Sequence, residues 1–162
     1  MSWLHCDIFR NDMKGPLPME HLTIAIGADH AGYALKEHLK ELTTVTWIDS
    51  GAFSAESVDY PDYAHAVSQK ILSGEVPYGV LICATGIGMS IVANRHPNIR
   101  AALCTDLDMV VAARRHNNAN VLVLGAKMTS TQEALSFLRT FLTTPFEGGR
   151  HMRRVEKIES CC

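Results

Sequence analysis

A chain of 162 residues, 47% hydrophobic and 20% charged, has the length and make-up of one globular domain with its own core. A formal net charge of -2, with no basic cluster ahead of the C-terminal stretch, offers no footprint for a nucleic-acid backbone. No apolar run approaches the ~20 residues that span a bilayer, and the first residues lack the charged start, apolar stretch and cleavage site of a secretory leader; no membrane partner is expected, and a cytoplasmic location is.

Residues 1–19 mix polar and apolar types without period and close on KGPLP, which predicts a loose N-terminal extension ahead of a single domain over 20–162. LTIAIG (22–27) reads as the first strand. GYALKEHLKEL (32–42) follows as a helix, with Leu35, Leu39 and Leu42 at helical spacing, and TVTWIDSG (44–51) is the next strand. The alternation continues: helix 61–73 opening near Pro61, strand 78–83, helix 87–94, strand 100–104, helix 107–116, strand 121–125 and helix 131–142. Five strands separated by helices predict an α/β fold, a single doubly wound five-stranded parallel sheet of Rossmann-like type with helices on both faces. Sites in such sheets form at the carboxyl ends of strands near a reversal of strand order, which singles out loops 27–32, 49–60, 83–88 and 104–107.

In VLICATGIGMS (80–90) the apolar run stops at Cys83, and Gly86 and Gly88 follow. Backbone amides in such a loop at a helix start stabilise a phosphate or a developing oxyanion, and would favour the thiolate of Cys83; the plainer reading is a structural cysteine beside a tight turn. GADHAG (27–32) ends the first strand on the same sheet edge and offers Asp29 and His30, for which an N-cap and a surface histidine are the plainer readings. RHNNAN (115–120) places His116 and Asn117 where a helix ends, a position at which histidine also complements the helix dipole. In EGGRHMRRVEKI (147–158), Arg150 and Arg154 stand at i and i+4 on one helical face, a spacing that suits a phosphate or an ordinary solvated basic surface. The five cysteines, Cys6, Cys83, Cys104, Cys161 and Cys162, lack CxxC spacing, and the eight histidines form no HxH or HExxH pattern. Neither a disulfide framework nor a metal site is expected.

Taken in order, GADHAG, DYPDYA, CATGIGMSIVANR, RHNNANVLVLG and EGGRHMRRV resemble the ribose-5-phosphate isomerase B family, which also includes galactose-6-phosphate isomerase subunits; the resemblance covers roughly residues 20–158. It implies a cofactor-free aldose-ketose isomerase that interconverts ribose 5-phosphate and ribulose 5-phosphate through an enediolate. Cys83 matches the family's general base and His116 the acid that helps open the sugar ring. Asp29, His30, Tyr60, Asn117, Arg150 and Arg154 match substrate contacts. Ala84, Thr85, Gly86, Ile87 and Gly88 match the loop that holds the enediolate oxygen, with Thr85 counted among the catalytic groups. Many relatives carry glycine where this chain has Ala84. A second branch of the family uses a glutamate base at the position of Met89, so this sequence groups with the cysteine branch.

Two other readings stand beside the pentose phosphate: isomerisation of a hexose 6-phosphate of galactose or allose type, and a sugar-phosphate-binding module without turnover. Topology adds an expectation of its own. A helix between parallel strands runs back across the sheet, so the end of helix 107–116 should reach the edge opposite Cys83, and a strand of 5 to 6 residues spans roughly 17–20 Å. If both residues serve one site, His116 comes from a second chain, which predicts a homodimer, or a dimer of dimers, with shared sites.

Overall fold

The computed structural model describes residues 22–159; the expected extension at 1–19 and Cys6, Cys161 and Cys162 lie outside the described residues. Five strands form one all-parallel sheet: β1 (Thr23–Ala28), β2 (Thr46–Asp49), β3 (Gly79–Cys83), β4 (Ala101–Leu103) and β5 (Val121–Gly125), in the spatial order β2-β1-β3-β5-β4. The helices are α1 (Tyr33–Leu42), α2 (Tyr60–Leu72), α3 (Ile87–Ala93), α4 (Leu107–Asn117), α5 (Thr131–Thr143) and α6 (Met152–Glu159). This is the expected doubly wound α/β fold, and none of the described helices is long and apolar enough to cross a membrane.

The three central strands are apolar on both faces because both faces are covered. One core gathers Ile24, Ile26, Ile82, Leu122 and Leu124 of the sheet with Leu35 and Leu39 of α1, Val110 of α4 and Phe137 and Phe141 of α5. The other joins Ala25, Leu81, Val121 and Val123 to Val67 and Ile71 of α2 and Met89 of α3. Each large aliphatic side chain so buried contributes about 1.5–3 kcal/mol.

Three boundaries differ from the sequence expectation, each for a local reason. The second strand is shorter than 44–51 because the Asp49 carboxylate accepts the Gly51 N–H at 2.9 Å and turns the chain, with Gly51 at φ 98°. That carboxylate also takes both oxygens' worth of the Lys36 ammonium, at 2.7 Å each, and Lys40 at 2.6 Å. Lys36 is fully buried and also meets Glu37 at 3.0 Å. Burial alone would raise the Asp49 carboxyl, but these hydrogen bonds outweigh it and hold it below the usual carboxylate range. At the C-terminus, the expected single helical face over 147–158 is broken: Gly148 and Gly149 adopt positive φ, residues Gly149–His151 form a 3-10 turn, and α6 starts at Met152. At β4 only three residues pair, and the sheet edge there is closed by Asn94, whose side chain donates to the Ala101 carbonyl and accepts the Ala101 N–H, both at 2.8 Å.

Arg114 fixes the far end of α4. It is buried, donates to the Ala119 carbonyl at 2.5 Å, the Tyr78 hydroxyl at 3.1 Å and the Thr144 carbonyl at 3.3 Å, and lies over the Tyr78 and Phe141 rings. α5 starts with a capping box, Ser130 and Glu133 exchanging side-chain and backbone hydrogen bonds.

His65 of α2 and His96, in the turn after α3, approach at 2.7 Å between Nδ1 and Nε2, so one ring must donate and the other accept. Among the described residues no acidic or basic side chain forms an ion pair with either ring. Burial, then the charge of His65, holds His96 below the ordinary imidazole range. The unfolded chain therefore takes up its proton first, at about pH 6.5, so the stabilisation is complete above that value and is lost as pH falls toward the lower folded value. Urea unfolding at pH 7.5 and 5.0 should show lower stability at pH 5.0, and His96→Gln should reduce that difference; an unchanged pH slope in the variant would remove His96 from the account.

Candidate active site

The strand order reverses between β1 and β3: the chain places β2 on one side of β1 and β3 on the other. At the carboxyl ends of those two strands stand Asp29, His30 and Cys83, the location where doubly wound sheets bind ligands. The Asp29 N–H donates to the Ile82 carbonyl at 3.2 Å, which ties the two strand ends together. Asp29 is buried, and its carboxylate accepts the Gly32 N–H at 2.9 Å; it holds the loop before α1, whose N-cap is Gly32. His30 is exposed, and its Nδ1 accepts the Val58 N–H at 3.3 Å.

Cys83 ends β3 with its sulfur buried in the turn it begins. The Gly86 N–H donates to Sγ at 3.1 Å, so this loop amide is aimed at the sulfur. Gly86 makes this possible through a left-handed φ of 78°, where a side chain would be strained and a Cβ would collide with Leu103. Thr85 is exposed and its hydroxyl accepts the Ile87 N–H at 3.4 Å, while Ala84 and Gly88 are half-buried. Tyr60, the first residue of α2, lies against this loop: a Cβ on Gly88 would stand 2.6 Å from its ring. The other described cysteine has a different setting. Burial, and then Asp106, pushes the Cys104 thiol up to about 12, and its sulfur donates to the Ala102 carbonyl at 3.6 Å, so it is a packing residue.

The remaining candidates occupy the opposite edge. Cys83 pairs with Gly125 at the end of β5, whereas α4 delivers the chain to Val121 at its start, in register with Gly79. Four strand steps alone put about 13 Å between the two edges. His116 and Asn117, at the end of α4, are exposed. The His116 ring stacks on buried His151, 4.4 Å between centroids and 15° from parallel. Glu147 stands 4.0 Å from His116 and 3.9 Å from His151, and pairs with Arg115 at 3.0 Å. Arg150 Nε lies 3.4 Å from His151 Nε2. Burial first, then the neighbouring His116 and Arg150, holds His151 below the ordinary imidazole range, against the pull of Glu147; Arg154 adds to the lowering. Arg150 and Arg154, both exposed, thus lie on the two sides of the 3-10/α6 junction instead of on one continuous helix, with Arg150 beside His151.

His116, Glu147 and His151 have the residue types of a metal cage, and their ligand atoms lie within 4.8 Å of one another. The geometry does not suit one: stacked rings keep their nitrogen lone pairs in near-parallel planes that do not meet at one ion, and an arginine donor already faces His151 Nε2. Arg115 on the Glu147 carboxylate, with Arg150 beside His151 and the charge of Arg154 acting on the same ring, instead gives this edge a cationic surface that suits an anion. Glu147 and His151 escaped the sequence reading, although the motif EGGRH displays them four residues apart. A cavity of about 330 Å³ lies along β4, lined by Ile99, Ala101, Ala113, Asn117 and Ile158 among others; it touches Asn117 but not Cys83, and is a seam beneath α6.

Residues 24–158 match the family described as Ribose/Galactose Isomerase. The chain is similar to ribose-5-phosphate isomerase B of Escherichia coli, 42% identical over 139 residues that make up 83% of this chain and 93% of that one. A Rickettsia typhi relative, named only as a candidate sugar phosphate isomerase, is 45% identical over 87% of this chain and its own full length. Among solved structures, a ribose 5-phosphate isomerase of Thermotoga maritima superposes with a TM-score of 0.84 at 51% identity, over 86% of this chain and 98% of that one. The type B enzyme of Trypanosoma brucei gives 0.82 at 43%, over 88% and 99%. Profile and relatives together span the fold from β1 to α6, and the chain belongs to the ribose/galactose isomerase family.

Proposed function

We propose that this protein interconverts ribose 5-phosphate and ribulose 5-phosphate without a cofactor, in a homodimer whose two sites each take Cys83 from one chain and His116 from the other. The observation that carries the reading is the Cys83 sulfur, held by the Gly86 amide at 3.1 Å at the carboxyl end of β3, beside Asp29 and His30 at the strand-order switch. Isomerisation needs one base and one set of oxyanion donors, and a cysteine followed by a loop of small residues supplies both from one turn.

The chemistry balances on the sugar alone. His116 assists ring opening; the Cys83 thiolate then takes the proton from C2, the C–H pair forms the C1–C2 double bond, and the carbonyl pair moves to O1. Amides of residues 84–88, with the Thr85 hydroxyl, hold that oxygen. A proton passes from O2 to O1, and the proton on Cys83 returns to C1 to give the ketose. Arg150, Arg154 and the other groups of the His116 edge receive the phosphate, Asn117 contacting the sugar.

The separation of the two edges supports the shared site, since a histidine side chain does not cross a sheet of this width. The surface next to Cys83 supports it as well: Ile87 and Ile91, one turn apart on α3, are 54% and 53% exposed, and Leu107 and Met109 at the start of α4 are 43% and 42% exposed. Such a patch beside an incomplete site suits a second copy related by a twofold axis.

Proton NMR in deuterium oxide should show solvent exchange at C1 or C2 of ribose 5-phosphate, with hexose 6-phosphates run alongside because the family description includes galactose. Cys83→Ala should lower kcat about 10²–10⁴-fold. Co-refolding Cys83→Ala with His116→Ala should then restore about a quarter of wild-type activity, since half the dimers are mixed and each mixed dimer has one intact site. Mixed dimers verified by native mass spectrometry but devoid of activity would refute sharing. Arg154→Ala should raise KM for the phosphorylated sugar while leaving free ribose as poor a substrate as before; equal losses on both, at unchanged KM, would remove it from the phosphate site.

A further inference from the structure

The loop between β2 and α2 does more than connect them. Its root is the most heavily bonded carboxylate among the described residues: Asp49 accepts Lys36, Lys40 and the Gly51 N–H. Lys36 has no exposed surface, and displacing Asp49 would leave its buried ammonium with Glu37 alone as a carboxylate partner. From that root the loop is laced to the end of β1. The Ala28 N–H donates to the Gly51 carbonyl at 2.6 Å, and the Ala52 N–H returns to the Ala28 carbonyl at 2.5 Å. At its far end the Val58 N–H meets His30 Nδ1 at 3.3 Å, and two residues later Tyr60 packs on Gly88 of the cysteine loop.

A peptide N–H only donates, so His30 Nδ1 must be the acceptor, and in the neutral ring the proton then sits on Nε2. Among the described residues no peptide or side chain engages Nε2. We infer that residues 50–59 form a strap, rooted on the Asp49–Lys36 pair, that sets the tautomer of His30 and presents its Nε2–H as a donor to an oxygen of the bound sugar phosphate. Asp49 and Val58 are thus positioning residues, the first through the root of the strap and the second through its amide. The inference rests on the proposed isomerase reading for the identity of the ligand, but the tautomer is a property of the free protein.

Ring nitrogen shifts of ¹⁵N-histidine-labelled enzyme at pH 8, assigned with His30→Gln, test it directly. Wild-type His30 should show an unprotonated Nδ1 and a protonated Nε2. Asp49→Asn, which keeps the shape but loosens the root, and Val58→Pro, which deletes the donor, should each move both shifts toward the average of two tautomers. Each should also lower kcat/KM about tenfold at a temperature where circular dichroism shows the variant folded, the size expected for one lost positioning hydrogen bond. If Asp49→Asn fails to fold, Val58→Pro reads the same contact from a site away from the buried pair. A wild-type ring protonated on Nδ1, or folded variants that keep wild-type shifts or wild-type kcat/KM, would overturn the inference. Correct shifts in a protein that exchanges no sugar proton would instead count against the isomerase reading.

Discussion

Parallel pairing of β3 between β1 and β5 is the constraint on which the rest depends. Because the strands all point one way, every strand end and every following helix start falls on one edge, and every helix end falls on the other. The residues able to hold an anion by backbone amides therefore collect beside Cys83. Those able to act from a helix end collect beside His116. No loop of this length undoes that sorting, since strand rise at about 3.3 Å per residue sets the thickness of the layer. The division of the candidate residues between the two edges is a property of the fold before it is a property of any side chain.

Each edge is then stiffened by a buried cation. On the Cys83 side Lys36 locks Asp49, which turns the chain out of β2 and into the loop that meets His30. On the His116 side Arg114 knits α4 to the segment before β5 and to the end of α5, and its place in α4 is two residues before His116. Both are charges that burial penalises, and both are retained with several oxygen partners, which suits positions where geometry matters more than net stability.

The alternation of apolar runs and amphipathic stretches was enough to place all five strands and their helices, because central strands buried on both faces read as continuous aliphatic runs, as GVLIC and VLVLG do. The order β2-β1-β3-β5-β4 was not legible, since nothing local to β4 or β5 states which of them lies beside β3. Lys36 was equally hidden. In GYALKEHLKEL it looks like one more charge on a solvated helix face, and its burial depends on Asp49, distant in sequence, together with the neighbouring Glu37. Cys83, Asp29 and His30 were visible because strand ends followed by glycine are conspicuous. Glu147 and His151 were not, because the glycine pair that bends the chain between them breaks the helical periodicity by which partners are usually recognised.

Asn94 has a bearing on the open edge of the sheet. Its carboxamide gives Ala101 the donor and the acceptor that a neighbouring strand would have supplied, at the outermost strand of the sheet. A side chain thus stands in for a sixth strand. With only three residues in β4 and one of them already satisfied on both counts, that margin is a poor template for another chain's backbone, and the sheet is protected there from growing by strand addition. Side-chain surfaces such as the isoleucines of α3 carry no such row of unpaired backbone groups, so contact through them does not extend the sheet.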